Sequence, residues 1–279
     1  MTDLVLAILC SSALALFLKA ASFESGNRYG ILLGNYISCF TLAFLTAGNK
    51  SAMFSLSGIT VLLAILGGVF FLLGLIAIQK SIPENGAALT SAFSKLGMIV
   101  SLFLSVVFFR EKITLYSLLG IGISLLAILV VNHDPNHRGD VPVLLLFTLA
   151  VNGIADSFAR LFREFCSSAE ENGFLFLLFL TAGILTFLLS RKEKRDTGKS
   201  VSARAFLLGI LAGVPNYYSS LFLIRALITL PAVFVYPVFS VGSILTIMTL
   251  SALLFHERLS SFQKGGLFLV ILALVFLNL

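Results

Sequence analysis

Lys95 opens an almost wholly apolar run that continues from Leu96 to Phe109. In a span from 86 to 109 it lies about 4 Å from the midpoint at 1.5 Å per residue, too deep for its stem to reach either interface. An ionisable group at that depth costs about 3 kcal/mol on insertion scales and is by default a functional candidate. Its ammonium could meet an anionic substrate group or take part in proton coupling; the competing reading is a structural lysine held by carbonyls or a carboxylate. Asp156 is the one carboxylate well inside a span, and Asn152, Asp156 and Arg160 follow at i, i+4 and i+8 on one helical face. It could pair with Lys95 or carry a proton, while a plain in-helix pair with Arg160 is the structural alternative.

The remaining polar material at this depth is neutral. "GVPNYYSS" places Asn216, Tyr217, Tyr218 and Ser219 after Pro215, and the next span adds Tyr236, Pro237 and Ser240. A proline leaves a carbonyl unpaired, and interrupted helices lining a cavity are the usual pointer to a transport site. Asn35, Tyr36 and Ser38 come from an early span and Ser94 precedes Lys95. The expected substrate-binding set is therefore Lys95, Asn35, Tyr36, Ser94, Asn152, Asn216, Tyr217, Tyr236 and Ser240, with Asp156 as the proton-coupling candidate. Proline kinks with locally satisfied hydroxyls would explain the same residues without a ligand. "GILLG" from Gly30 and "GILAG" from Gly209 are small-xxx-small motifs that permit close helix contact.

Other chemistry is not written in this chain. No P-loop, Gly-rich phosphate fingerprint, nucleophile elbow or zinc motif occurs, so neither a cofactor nor ATP hydrolysis is expected. His133, Asp134, His137 and Asp140 share a short loop and read as a solvated connector rather than a metal site. Arg225, Lys19 and Gln79 read as span-end anchors, and Glu111 and Glu257 as structural turn residues.

These groups need elements to hold them. Hydrophobic residues make up 58% of the chain, charged residues 11%, and the mean hydropathy is +1.05. Soluble domains carry about a quarter charged residues, so this composition describes an all-α integral membrane protein. Apolar runs give ten spans, near 3–22, 29–47, 58–79, 86–109, 114–132, 142–163, 173–190, 205–228, 232–254 and 260–279. The first reads as a span and not a signal peptide, because Asp3 stands where a basic region belongs. Cys10, Cys39 and Cys166 form an odd set without motif spacing, and no disulfide framework is expected. The net charge of +6 reflects basic residues at span ends, so the expected surroundings are a lipid bilayer and not nucleic acid.

A constant shift of 146 pairs Phe93 with Phe239, Phe109 with Phe255, Glu111 with Glu257, Gly120 with Gly266 and Asn132 with Asn278. The chain then divides into repeats at 1–136 and 137–279. Five spans per repeat place the second copy upside down, an architecture that lets one central site face alternate sides. The stretch from Leu230 to Gly266, the turns "FREK" and "FHER", and the Gly-containing last spans resemble the EamA-type half of the drug/metabolite transporter superfamily. "SIPENGAALTSAFSKLG" departs from that pattern by lacking a second proline and carrying Lys95. The resemblance implies ten helices and the transport of a small metabolite.

The expected function is thus secondary transport of a small polar metabolite by alternating access, proton-coupled or by exchange, in a multi-pass protein of the cell inner (plasma) membrane. It is not expected to be an enzyme. The alternatives are an intramembrane enzyme or flippase acting on a lipid-linked substrate, and a homodimer stays open. Basic residues at span ends bear on orientation: Lys50, Arg110, Lys112, Arg160, Arg163 and Arg225 share the side of the termini. Lys19, Arg28, Lys80, Arg138, Arg191, Lys192, Lys194, Arg195, Lys199, Arg204, Arg258 and Lys264 lie opposite. Charge places the loop around Arg191–Arg204 in the cytoplasm and the termini outside, whereas the resemblance implies cytoplasmic termini.

Overall fold

The structure, a computed structural model, describes residues 1–22, 26–48, 50, 53, 55–97, 100, 115–132, 141–230, 232–256 and 261–277. Among them the chain forms helices and no strand: α1 (Thr2–Ala21), α2 (Gly30–Thr46), α3 (Gly58–Leu96), α4 (Leu115–Asn132), α5 (Val141–Phe165), α6 (Glu171–Thr197), α7 (Ala203–Thr229), α8 (Ala232–Phe255) and α9 (Ser261–Leu277), with a 3-10 turn at Ser168–Glu170. Helices α1, α3, α5, α6, α7 and α8 are long and apolar enough to cross a membrane, and α2 and α9 are shorter apolar helices. Large apolar side chains such as Leu62, Leu66, Leu188, Leu207 and Leu211 are exposed on the outside of the bundle, where only lipid makes exposure favourable. This is an all-α membrane protein.

Most expected spans coincide with helices to within a few residues, with two differences. Spans expected at 58–79 and 86–109 meet a single helical stretch, α3, whose 39 residues would reach about 58 Å if straight, nearly twice a bilayer core. It is not straight: Gly86, at φ 77 and ψ 163, breaks it into two limbs. A side chain is disfavoured at that φ, so glycine is the residue that permits the break. Around it Ser81 and Thr90 share a 2.9 Å hydroxyl contact, and Asn85 Nδ2 donates to Ser81 Oγ at 3.1 Å. Asn85 Nδ2 also donates to the Ser81 carbonyl at 3.3 Å, supplying a side-chain donor to a backbone acceptor one turn before the break. The second difference is α6, which continues past the apolar run through "RKEKRDT" and stops at Gly198, whose φ of 72 is the left-handed C-terminal cap. The turns of Glu111 and Glu257, the connector from His133 to Asp140, and the side chains of Tyr236 and Pro237 lie outside the described residues.

Helix contacts follow the small residues. Gly30 and Gly34 of α2 face Ala205, Phe206 and Ile210 of α7, while Gly209 and Gly213 of α7 face Ile31, Asn35 and Ser38 of α2. The two small-xxx-small motifs are each other's partners. Gly68 of α3 meets Leu178 and Thr181 of α6 in the same manner, and Gly97, which caps α3, lies against Gly153 of α5. The most extensive pairings are α2 with α7, α3 with α5, α4 with α9, α1 with α7, α2 with α6, α3 with α6 and α1 with α8. Hydroxyls inside the helices mostly donate one turn back, as Thr148 does to Leu144 O and Thr186 to Ala182 O, which satisfies them without water.

Candidate functional site

The expected site residues fall into two groups. The first is a packed seam between α2 and α7. Asn216 Nδ2 donates to Asn35 Oδ1 at 2.8 Å, and the Cys39 thiol lies 3.3 Å from Gly213 O. Both asparagines are buried, and Asn35 Nδ2 finds no acceptor among the described residues. Tyr36 is fully buried, its hydroxyl 3.4 Å from Phe71 O and its ring against Phe71 and Phe179. Tyr217 is equally buried; its hydroxyl bonds Thr46 Oγ1 and its ring meets Tyr218 edge-on. Buried interhelical polar bonds in a membrane are worth about 0.6–2 kcal/mol each, so this seam holds α2 to α7.

The second group surrounds Lys95, on the second limb of α3. Its Nζ stands 4.0 Å from the centroid of the Phe239 ring, contributed by α8. A cation over a ring face is stabilised by about 0.5–2 kcal/mol depending on desolvation. Asp156, on α5, is the carboxylate whose charge acts on Lys95, yet among the described residues no direct ion pair joins them. Asp156 is also solvent-accessible although it sits mid-helix. At about 100° per residue it points roughly 130° away from the mean direction of the exposed Val143, Leu146 and Phe147, which face lipid. Asp156 therefore lies on a flank of α5 turned away from those lipid-facing side chains.

Asn152 lies one turn before Asp156; its Nδ2 bonds Thr148 O at 2.8 Å, and a Cβ on Gly74 would meet its Oδ1 at 2.9 Å. Ser94 and Ser240, neighbours in sequence of Lys95 and Phe239, are buried. Arg160 has an interaction partner of its own. Tyr236 lies outside the described side chains. Phe239 is the participant that sequence reasoning missed as a site residue; its signal was present, since the shift of 146 that pairs Val241 with Lys95 places Phe239 two residues away, paired with Phe93. No group of three His, Cys, Asp or Glu able to hold a metal occurs among the described residues.

No family model matches the chain. It is 24% identical over 289 residues, covering 96% of this chain and 94% of the other, to a protein of Haemophilus influenzae described as uncharacterized. A solved crystal structure superposes with a TM-score of 0.64 at 13% identity, covering 99% of this chain and 95% of that one. At that identity the likeness defines the fold alone: a helical bundle shared end to end.

Proposed function

We propose that the protein is a secondary transporter of the EamA type, built of ten helices in two inverted five-helix repeats, moving a small zwitterionic or anionic metabolite by alternating access. The observation that carries this reading is the half-buried Lys95 ammonium over the Phe239 ring, with the accessible Asp156 carboxylate acting on it without a direct ion pair among the described residues. Two opposite charges kept apart in a membrane interior each need a partner or water. A zwitterion supplies both: its carboxylate meets Lys95 and its ammonium meets Asp156. Asn152 and Ser94 adjoin these charges along the helices, while the Asn35–Asn216 seam with Tyr36 and Tyr217 holds α2 to α7.

The inverted repeat is supported by the packing. Exchanging the halves turns the α1–α7 contact into α5–α3 and α2–α7 into α6–α3, and both members of each pair are present. The α2–α6 and α4–α9 contacts map onto themselves. Among the described residues, counting the limbs of α3 on either side of Gly86 separately gives five helical segments per half.

Lys95→Met tests the reading. The substitution keeps the stem volume and removes a charge, so the folded state should hold or gain stability. Affinity for the transported metabolite, found by screening a metabolite library for thermal stabilisation, should fall at least tenfold, about 1.4 kcal/mol. Unchanged affinity in a well-folded Lys95→Met protein would remove Lys95 from the substrate site.

A further inference from the structure

The face opposite the chain termini holds a cavity of about 180 Å³ that the transport reading does not use. It lies where the end of α1, the turn into α2, the first limb of α3 and the start of α7 converge, so it is built from helix ends and belongs to the polar boundary of the membrane. Ile31 and Pro83 form an apolar floor, and Asn27, Arg28, Gln79 and Lys80 supply the polar lining.

The polar lining is tied down, except for the terminal nitrogens of Arg28 and the Lys80 ammonium. Asn27 Nδ2 donates to Ser190 O at 2.9 Å, and Gln79 Nε2 donates to Arg28 O at 2.7 Å. Glu193 holds Arg28 through its backbone N–H and through Nε at 3.2 Å. That leaves the two terminal guanidinium nitrogens without a protein acceptor among the described residues. Lys80 Nζ likewise has none, and the exposed Glu84 one turn further on forms no ion pair with it among those residues. A planar cationic fork and a point cation thus share one small cavity, on the face where α6 adds Arg191, Lys192, Lys194 and Arg195.

We propose that this cavity binds a phosphate group, with Arg28 engaging its oxygens through the terminal nitrogens and Lys80 neutralising it. Arginine presents a fork that matches phosphate geometry, and lysine serves as a point charge. The apolar floor and interfacial position suit the phosphodiester of an anionic lipid, while the volume also admits a free phosphate. None of the lining residues belongs to the group around Lys95. A ligand spanning Arg28 and Lys80 would clamp the α1–α2 turn to the limb of α3 that ends at Gly86.

The test titrates the purified full chain in neutral detergent with short-chain phosphatidylglycerol, short-chain phosphatidylcholine and inorganic phosphate, reading melting temperature. A saturable rise with phosphatidylglycerol alone supports the site and assigns a lipid headgroup; a rise with inorganic phosphate as well supports it and assigns a phosphate group from any source. Lys80→Gln, which removes no ion pair or side-chain hydrogen bond among the described residues, should raise the half-saturating concentration about fivefold, whereas Lys192→Gln on the same face but outside the cavity should leave it unchanged. No saturable rise with either anion, an equal rise with phosphatidylcholine, or an equal loss in the two variants would each overturn the proposal.

Discussion

Gly209→Ala adds one methyl group where two helix backbones touch, and its effect can be worked from the crossing. A Cβ at Gly209 would lie 2.9 Å from the carbonyl carbon of Ile31 and 3.0 Å from its Cα, against ordinary contacts of 3.4–4 Å. Both atoms are backbone, so no side chain can rotate away, and α2 must retreat by roughly half an ångström or more along the whole seam. Overpacking of this kind costs about 1–3 kcal/mol. The usual gain of alanine over glycine in a helix does little to offset it, because transmembrane helices persist when they separate in the bilayer. Gly122→Ala on α4, with nothing within 4 Å of its Cβ, is the matched control and should stay within about 0.5 kcal/mol of the parent. Cys39 provides the readout: it is fully buried in the same seam, its thiol against Gly213 O. In a Cys10→Ser, Cys166→Ser background, a thiol-reactive dye should label Cys39 at a lower temperature in Gly209→Ala than in Gly122→Ala. Identical labelling curves for the two variants would refute the reasoning.

Asp156→Asn should abolish substrate accumulation driven by a pH gradient while leaving exchange at least partly intact in liposomes; full gradient-driven uptake by the variant would exclude Asp156 as the proton carrier. A cysteine placed at Ser200, beyond the Gly198 cap of α6, should be protected from impermeant thiol reagents added to intact cells, and outside labelling would reverse the orientation drawn from charge and favour cytoplasmic termini.

The helical frame was legible because hydrocarbon length and apolar runs are one-dimensional quantities. Span ends at α1, α2, α4, α5, α7 and α8 came within a few residues for that reason. The α3 boundary was harder, since "KSIPENG" reads as a connector by composition, whereas Ser81, Asn85 and Thr90 bond among themselves and carry helix up to Gly86. Pairing was legible only in part. "GILLG" and "GILAG" announced a close contact, but nothing in either motif says that the other is its partner. Lys95 and Asp156 stood out because a charge at midplane depth needs compensation. The environments of Tyr36 and Tyr217 were not legible, because a tyrosine has the same composition whether its ring lines a cavity or packs among phenylalanines; only the neighbours, Phe71 and Phe179, decide. Phe239 illustrates the converse: one phenylalanine among 27, distinguished by what stands over its ring.

The bond between Asn35 and Asn216 spans 181 residues of chain. At ribosomal rates of about 5–20 residues per second, α2 is threaded into the bilayer roughly 10–40 s before its partner has been made. During that interval its glycine face and a midplane amide have only lipid, or a transient companion, to lean on. The same holds for α3, whose Gly68 waits for α6, and for Gly97, which waits for α5. The first half of the molecule therefore passes through the membrane with polar and glycine-lined faces that only the second half covers.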